Sequence, residues 1–462
     1  MAEQKRNMVL LTIDGLRPDH LSIYGYKRPT DQAIALFQKQ MVVFKNAHTH
    51  SFPTIRAFPA IYASIWADEC TTKFFWQHFK KLDLPKWCLT IAEAYQSHSY
   101  YCAAHTGWSN FLTPGQGFAR GVSDFVGMLR EDRLASKNFW EQIYSSAWQH
   151  LIYSFRYLPS SRLVDFIDWG FHWFRETVNT LLKTNLQSAG GVGGRSATAV
   201  SSYLLNRIDE NHQKPFFLWG QFHDAHVPLA PPKEHAFHAN VTPEEKKLIG
   251  SAIYHQTPLS EELREKLIDL YDGGIRTAFY EIGKVFDKLK SLNLLEHTCV
   301  IITSDHGCAF WEHGYWAYPE NKFYDESTKV PLLMHCPERS NGPHFVDTPV
   351  SLMDLAPTML ELSHLSPEWR FFGSSFSEAA TQSKNQIVRT EIWIETLGPP
   401  PHTCLVKDGA KIVYRNDRKE FVGTITQNSQ MRPTSEKEKR CFHSLFGTYE
   451  KSKQNHTQKC NS

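Results

Sequence analysis

The sequence predicts an α/β fold: a large, doubly wound, mostly parallel β-sheet with helices on both faces, plus a small C-terminal subdomain with an antiparallel hairpin. Two observations lead to this prediction. Short apolar, β-branched runs alternate with longer amphipathic stretches, and the runs before Asp14 and Asp305 stop abruptly at those acidic residues. A buried parallel strand ends in this way when it brings a ligand to the carboxyl edge of a sheet. The 462 residues are enough to bury such a core.

Strands and helices are predicted to alternate along most of the chain. The strand segments are short and rich in valine and isoleucine, whereas the helical segments are longer with periodic apolar residues. This alternation predicts crossover units, in which each helix returns the chain to the same edge of the sheet. The predicted strands are 7–13, 41–44, 100–104, 215–222, 300–304 and 330–335, and the predicted helices are 30–39, 58–65, 90–95, 199–208 and 263–292.

The chain is predicted to divide into a main domain, residues 1–376, and a C-terminal subdomain, residues 377–462. In the subdomain, the stretch 404–414 is apolar on both sides of Asp408-Gly409, which predicts a β-hairpin with a tight turn. The last part of the chain is polar, so we expect a loose tail there.

An aromatic segment interrupts the main domain at 130–194. Trp and Phe residues recur at near-helical spacing through 130–186, and the glycines of 190–194 predict a flexible hinge. We expect an inserted helical hairpin that packs on the core. The alternatives are a lid over the functional site and an interfacial helix that makes a peripheral membrane contact.

Composition excludes several classes of function. The formal net charge is +2, which gives no basis for binding nucleic acid or another strongly charged partner. No apolar run is long enough for a transmembrane helix. The first strand begins so close to Met1 that a signal peptide does not fit before it, and the nine cysteines are scattered. We therefore expect a cytoplasmic protein with reduced thiols.

Asp14, Asp305 and His306 are the candidate metal ligands. Each follows a predicted strand, and the carboxyl ends of parallel strands meet at one edge of a sheet. Two carboxylates and an imidazole suit a divalent cation that keeps an open coordination position. The alternative is that Asp305-His306 is only a cap or a surface turn, which is the more common role of such a dipeptide.

Thr54 is a candidate nucleophile and a fourth candidate ligand. It lies in a loop with Pro53 before a predicted helix, where a metal ion and the helix N-terminus would activate its hydroxyl. The alternative is that Thr54 only caps the helix, and the residues alone favour that simpler role. Arg56, two residues later, either binds an anionic group of the substrate or is a solvated charge.

Two histidines, His223 and His226, follow the strand predicted at 215–222 and are placed near the same edge. One of them would protonate a leaving oxygen as a general acid. The other would contact the substrate, although a single histidine in such a position is usually structural. His313, beside Glu312, and Lys322 would neutralise the oxygens of a tetrahedral anion.

Several segments in order carry a family resemblance. They are Val9 to Tyr26, with its Asp-Gly-Leu-Arg-Pro-Asp-His; Lys214-Pro215-Phe216-Phe217 leading to Asp224-Ala225-His226-Val227-Pro228; Thr303-Ser304-Asp305-His306-Gly307 with Glu312-His313-Gly314; Tyr324 to Leu332; and Ser351 to Thr358. Together they resemble the sulfatase family of the alkaline phosphatase superfamily, over most of residues 7–376. The resemblance implies that Asp14, Asp305 and His306 bind metal and that His226 is catalytic, with His313 and Lys322 as weaker assignments.

The chain departs from the family at the nucleophile. Members of the family use a Cys or Ser in C/S-x-P-x-R, which is converted to formylglycine, and no such motif occurs here. Counting back from the helix end at 60–64 puts the nucleophile position at Thr54, and threonine cannot be converted by that route. Gly15 also stands where the family has a second acidic residue after Asp14.

These departures favour phosphorus over sulfur as the substrate atom. The leading hypothesis is a metal-dependent hydrolase or transferase that cleaves a phosphate or phosphonate ester through Thr54, with Mn²⁺, Zn²⁺ or Ca²⁺ as cofactor. A sulfatase that works with unmodified threonine is the second hypothesis, and a catalytically degraded binding protein is the third. The expected substrate is a small-molecule or lipid-like phosphate or sulfate ester, contacted by Arg56 and His223.

Overall fold

The computed structural model describes residues 5–75, 79–107, 109, 111–127, 196–237, 241–317, 319, 322–337, 343–366, 371–381, 389–396, 400–426 and 429–461. The aromatic insertion predicted at 130–194, with its hinge and its alternative roles as lid or membrane contact, lies outside the described residues. Within the described part of the chain, no helix combines the length and the apolar character that crossing a bilayer requires.

Within the described residues, eight strands form one large sheet, which confirms the predicted α/β architecture. The strands are β1 Asn7–Ile13, β2 Met41–Phe44, β3 Tyr101–His105, β4 Asp124–Val126, β5 Phe216–Phe222, β6 Thr298–Thr303, β7 Leu332–His335 and β8 His344–Val346. Their order across the sheet is β8-β2-β7-β6-β1-β5-β3-β4. Seven of these eight strands run in the same direction, and only β7 is antiparallel to its neighbours.

Helices cover both faces of this sheet because the central strands are apolar on both sides. In β1, Met8 and Leu10 belong to one buried cluster and Val9 and Leu11 belong to the other. The long helices are α1 Thr54–Ala63, α2 Ile91–Ser97, α3 Ala197–Asn211, α4 Pro243–His255, α5 Glu261–Ser291, α6 Leu355–Leu362 and α7 Glu436–Asn461; short helices span Ala35–Gln38, Asp325–Thr328 and Ser377–Thr381. Helices α1, α2 and α6 pack on the first face, and α3 and α5 pack on the second.

The helix predicted at 30–39 is much shorter in the structure. Only a 3₁₀ turn, Gln32–Ile34, and the α-helical turn Ala35–Gln38 form there. The Asp31 carboxylate instead accepts hydrogen bonds from the backbone N–H groups of Ser22 and Ile23. Asp31 therefore orders the preceding loop and does not start a longer helix.

A second sheet of five antiparallel strands contains the predicted hairpin. Its strands, in sequential order, are β9 Glu391–Thr396, β10 His402–Lys407, β11 Ala410–Arg415, β12 Glu420–Ile425 and β13 Met431–Arg432. Asp408 and Gly409 both have positive φ, 50° and 74°, as the tight turn of the hairpin requires. Short two-stranded pairs elsewhere join Ala47–His48 to Val350–Ser351, Thr71–Phe75 to Phe79–Asp83, and Ala309–Phe310 to Trp316–Ala317.

Strand β9 holds the loop that leads to Thr54. Ser51 Oγ donates to the carbonyl oxygen of Glu395 at 2.6 Å, and Glu395 N donates to the carbonyl oxygen of His50 at 2.9 Å. His50 Nδ1 bonds the carbonyl oxygen of Trp393 at 3.0 Å. The C-terminal sheet therefore supports the segment that carries the candidate nucleophile, although the two are more than 300 residues apart in the chain.

The prediction of a loose C-terminal tail is wrong, because helix α7 spans Glu436–Asn461. Its apolar residues Phe442, Phe446 and Tyr449 recur at helical spacing and pack on Trp393 of β9. The Trp393 and Tyr449 rings are stacked, with centroids 4.6 Å apart. Lys453 adds a 3.0 Å ion pair with Glu395. A narrow stripe of apolar residues along an otherwise polar segment is therefore enough to hold the helix against the second sheet.

We expect Phe442→Ala to destabilise the protein by about 3 kcal/mol, because a fully buried aromatic ring is lost from a packed cluster. The measurement is urea unfolding followed by tryptophan fluorescence. Ser444→Ala, an exposed change on the same helix, is the control and is expected to cost less than about 0.5 kcal/mol. Equal stabilities for the two variants would mean that α7 does not pack on the sheet.

Candidate active site

Three neighbouring strands end at the same edge of the large sheet. Thr12 of β1 pairs with Thr303 of β6, and Ile13 pairs with Phe222 of β5. The residues that follow these pairs therefore emerge side by side. In this way the fold brings Asp14, His223 and Asp305 together, although they are far apart in the sequence.

Asp14, Asp305 and His306 form a buried cluster. Their side chains each offer one ligand atom, and these atoms lie within 4.8 Å of one another. His306 Nε2 is 3.6 Å from Asp14 Oδ1 and 3.6 Å from Asp305 Oδ2. The Nδ1 atom of His306 lies 2.8 Å from the carbonyl oxygen of Gly307, so Nδ1 carries the proton and donates it there. Nε2 then turns its lone pair toward both carboxylates, as a metal-binding imidazole requires.

The donor set fits a divalent cation. Asp14 Oδ1 and Asp305 Oδ2 are buried and have no hydrogen-bond partner within the described residues. Burial and the charge of Asp14 raise the pKa of Asp305. Burial would also raise the pKa of Asp14, but the imidazoles of His226, His223 and His306 hold it well below its usual range. Buried carboxylate oxygens that face each other are costly unless a cation neutralises them.

Thr54 lies beside this cluster and does not cap its helix. It is the first residue of α1, and the N-cap position before it is Pro53. The Thr54 hydroxyl is 3.2 Å from His306 Nε2. The side chain is only 4% exposed. The simpler interpretation of Thr54 as a helix cap is therefore wrong, and its hydroxyl instead contacts the candidate ligand His306.

His223 holds one oxygen of Asp14. His223 Nδ1 lies 3.1 Å from Asp14 Oδ2, and His223 Nε2 lies 3.3 Å from the carbonyl oxygen of Thr106. Burial disfavours the charged ring, but the hydrogen bond and the charge of Asp14 raise the pKa of His223. Both ring nitrogens face acceptors, so a direct substrate contact by His223 would have to replace one of these hydrogen bonds.

We expect Gly107→Ala to displace His223 and to weaken metal binding. A Cβ atom at Gly107 would lie 2.5 Å from His223 Cδ2 and 2.6 Å from the carbonyl oxygen of Gln221, and its φ is +57°. Strain and overpacking together predict a loss of about 2 kcal/mol of stability. The control is Gly25→Ala, which has φ +98° but no atom within 4 Å of the added Cβ. The measurement is calorimetric titration of both variants with Mn²⁺. Equal Mn²⁺ affinities for Gly107→Ala and Gly25→Ala would contradict the expectation.

His226 and Arg56 have different surroundings. His226 Nδ1 is 2.8 Å from the carbonyl oxygen of Val227 and donates to it. Its charge acts on Asp14. Arg56 lies on the first turn of α1 and is half-buried, with Nη1 fully enclosed. That burial argues against a simple solvated charge.

His313 and Lys322 contact a different group of side chains. The His313 ring stacks on Tyr324, with centroids 3.7 Å apart, and His313 Nε2 is 3.3 Å from Glu326 Oε1. Lys322 Nζ lies over the ring of Tyr315. Across the described ranges, neither side chain has a hydrogen bond or ion pair with Asp14, Thr54, Asp305 or His306. Their roles in neutralising a tetrahedral anion stay predictions.

Tyr271 is a contributor that the sequence did not reveal. Its hydroxyl, buried on α5, donates to the carbonyl oxygen of Gly15 at 2.8 Å and accepts from the Arg17 N–H at 2.9 Å. Arg17 in turn pairs with Glu312 at 2.5 Å. These contacts fix the loop after Asp14. A tyrosine within an amphipathic helix carries no signal of this role, because ordinary core packing gives the same pattern.

Comparisons with known proteins agree with this geometry. A family model described as Sulfatase matches residues 6–365. A sulfatase of Formosa agariphila is 27% identical over 238 residues, 48% of this chain and 46% of that protein. The iduronate 2-sulfatase of Mus musculus is 24% identical over 366 residues, 72% of this chain and 60% of that protein.

Solved structures show the same fold. The phosphonate monoester hydrolase of Agrobacterium radiobacter superimposes with a TM-score of 0.65 at 14% identity, covering 99% of this chain and 96% of its own. The matched regions span about half of the Formosa relative and three fifths of the mouse relative. Because the Sulfatase family model matches most of this chain, residues 6–365, the chain belongs to the sulfatase family.

Proposed function

We propose that this chain is a metal-dependent ester hydrolase that cleaves a phosphate or phosphonate ester with Thr54 as its nucleophile. One observation carries the proposal: the buried Thr54 hydroxyl lies 3.2 Å from Nε2 of His306, which clusters with Asp14 and Asp305. A hydroxyl in this position has an imidazole and a candidate metal site beside it to activate it as a nucleophile, whereas a hydroxyl that only caps a helix has neither.

Asp14, Asp305, His306 and Thr54 are the residues that would hold the ion, with Mn²⁺, Zn²⁺ and Ca²⁺ as the candidates. A bound divalent ion supplies positive charge that lowers the pKa of a nearby hydroxyl and stabilises a developing phosphoryl anion. His223 keeps Asp14 oriented through Oδ2, which leaves Oδ1 directed to the shared space.

The protein groups divide the reaction between them. Thr54 Oγ gives its proton to a water molecule and forms a bond to phosphorus while the bond from phosphorus to the leaving oxygen breaks. His226 Nε2 gives that oxygen a proton. Water then cleaves the Thr54–phosphorus ester and restores the hydroxyl, whereas an acceptor alcohol in place of water would make the reaction a transfer. Arg56 carries positive charge beside the nucleophile and binds the anionic ester.

Two arguments favour phosphorus. Threonine cannot become formylglycine by the route open to Cys or Ser, so Thr54 must act as an ordinary hydroxyl. The structurally similar protein of Agrobacterium radiobacter is a phosphonate monoester hydrolase. Sulfate ester hydrolysis is the second candidate function, because the curated relatives include the iduronate 2-sulfatase of Mus musculus. An alkoxide nucleophile serves either reaction.

One departure from the resembled family favours the binding-protein alternative: residues 60–64 replace the Thr-Gly with which the family's nucleophile helix ends. Helix α1 ends at Ala63, and Ser64 adopts the left-handed conformation with φ 50°. Ser64 Oγ also donates to the carbonyl oxygen of Met353 at 2.8 Å. A serine thus makes the helix end that a glycine makes more easily. The departure leaves α1 intact and gives no reason to expect loss of catalysis.

The test is a panel of p-nitrophenyl phosphate, bis-p-nitrophenyl phosphate, p-nitrophenyl phenylphosphonate and p-nitrophenyl sulfate, each assayed with Mn²⁺, Zn²⁺ and Ca²⁺. We expect turnover of the phosphorus esters to exceed that of the sulfate ester, and acid-quenched protein to gain the mass of a phosphoryl group on the peptide containing Thr54. Turnover of the sulfate ester alone would select the sulfatase alternative. Bound metal without any turnover would favour a binding protein.

A further inference from the structure

Ser304 joins the two loops that carry the candidate ligands. It follows β6 directly and is fully buried. The backbone N–H of Leu16 donates to Ser304 Oγ at 2.9 Å. Ser304 Oγ in turn has two carbonyl acceptors at 2.6 Å, those of Ile13 and His306. One hydroxyl therefore connects the loop after β1 to the loop after β6.

Along the chain, Ser304 and its hydrogen-bond partners lie on both sides of each candidate carboxylate ligand. Ile13 and Leu16 flank Asp14 in the chain, and Ser304 and His306 flank Asp305. The separation of the two carboxylates therefore depends on the separation of the segments that Ser304 joins. Without its hydroxyl, the Leu16 N–H would keep only a 3.4 Å contact with the carbonyl oxygen of Ile13. The two loops would then be joined by the 3.3 Å hydrogen bond from Gly15 N to Asp305 Oδ1 and, farther from the ligands, by the 3.2 Å hydrogen bond from Arg17 Nη1 to the carbonyl oxygen of Cys308.

We propose that Ser304 is a positioning residue that sets the affinity of the site for its cation. The inference rests on the proposed function, because it takes Asp14, Asp305 and His306 as ligands of a divalent ion. Groups that orient metal ligands through hydrogen bonds change metal affinity by about 10–100-fold when they are removed. Ser304 acts on the backbone of both ligand loops at once, so its loss relaxes the spacing of the ligand set and leaves the ligands themselves unchanged.

Thr303 provides a matched control. It is the neighbouring residue, it is also fully buried, and its hydroxyl donates to the carbonyl oxygen of Pro331 at 2.7 Å. That hydrogen bond leads away from the loop after β1. Ser304→Ala and Thr303→Val therefore each remove one buried hydroxyl from the same strand end, but only the first removes hydrogen bonds between the ligand loops.

The experiment is a calorimetric titration of the chelator-treated full chain with Mn²⁺, combined with kinetics at saturating Mn²⁺. For Ser304→Ala we expect the dissociation constant to rise by about 10–100-fold, while kcat at saturation recovers toward the wild-type value. For Thr303→Val we expect a change of less than about threefold. If Ser304→Ala does not fold, Ser304→Cys, whose thiol is a weaker acceptor, replaces it, and we expect a smaller rise in the same direction.

The outcomes separate this inference from the function on which it rests. Unchanged affinity in the Ser304 variant, or equal losses in both variants, would overturn the positioning role while the proposed function stands. A wild-type chain that binds none of Mn²⁺, Zn²⁺ or Ca²⁺ would instead overturn the proposed function, and with it the inference.

Discussion

Thr54→Ala is expected to lower kcat for phosphorus esters by a factor on the order of 10³–10⁶, because loss of a nucleophile removes the covalent route entirely. Each tenfold step corresponds to about 1.4 kcal/mol of transition-state stabilisation. The measurement is steady-state turnover of bis-p-nitrophenyl phosphate at saturating metal. The variant keeps Asp14, Asp305 and His306, so metal still binds, and the loss appears in kcat more than in metal affinity.

Two further variants make this result specific. Thr54→Ser keeps the hydroxyl and is expected to retain activity within about tenfold. Thr49→Val removes another buried hydroxyl of the same loop, one that donates to the carbonyl oxygen of Ser51 at 2.7 Å. We expect that change to lower stability but to leave kcat per folded molecule unchanged. Wild-type turnover in Thr54→Ala would rule out Thr54 as the nucleophile.

The sequence predicted the parts of the site whose signal is local. The strand before Asp14 ends at Ile13 as predicted, and the strand before Asp305 ends at Thr303, one residue before its predicted end. A fully buried strand needs a continuous apolar run, and the end of that run marks the end of the strand. Once those strands are parallel and adjacent, their ends share an edge. The approach of Asp14, Asp305 and His306 follows from these two facts and needs no knowledge of the loops.

Other features depended on contacts between distant segments. The polar composition of the C-terminal tail led to the prediction that it is loose. In the structure, Phe442 and Tyr449 pack on Trp393 and its neighbours in the second sheet, and this packing holds the helix in place. Likewise, the sequence around His223 is the same whether the histidine contacts substrate or hydrogen-bonds Asp14, as it does in the structure. The contacts of Tyr271 and Ser304 with the loop after β1 join residues about 250 positions or more apart, and neither residue type is distinctive.

His223, Tyr271 and Ser304 share a physical role. His223 bonds the carboxylate of the candidate ligand Asp14, and Tyr271 and Ser304 bond backbone groups of the neighbouring residues, but none of the three is among the candidate ligands. Residue type identifies ligands, because few side chains bind cations, but many side chains hold a ligand in place. Sequence patterns therefore indicate the chemistry of a site better than they indicate its rigidity.

Asp305→Asn is expected to raise the stability of the metal-free protein while abolishing its response to metal. Asp305 and Asp14 are both buried, and each has an oxygen without a hydrogen-bond partner in the described chain. Removing one of two like charges from such a site relieves repulsion and desolvation that only a cation offsets. We expect a gain of about 1–2 kcal/mol in chelator.

Asparagine also fits the hydrogen bonds around this position. Its carbonyl oxygen would still accept from the backbone N–H of His306, now at 3.0 Å, and from that of Gly15. Its amide would then face His306 Nε2, whose lone pair lies 3.6 Å from the present Asp305 Oδ2. The apo site therefore gains a donor where the wild type has two acceptors that face each other, so the gain in stability does not require repacking.

We expect bound metal to reverse the order of thermal stability of the wild type and Asp305→Asn. A cation present at a hundred times its dissociation constant stabilises the wild type by about 2.7 kcal/mol, whereas the variant has lost a charged ligand and gains almost nothing. Thermal unfolding in EDTA and in Mn²⁺ should thus show the variant melting higher in the first condition and lower in the second. Asp287→Asn, an exposed change of the same charge on α5, should melt like the wild type in both. If Asp305→Asn melts below the wild type in both conditions, Asp305 is a structural carboxylate, because a ligand held against its neighbour's charge must cost stability until the cation binds.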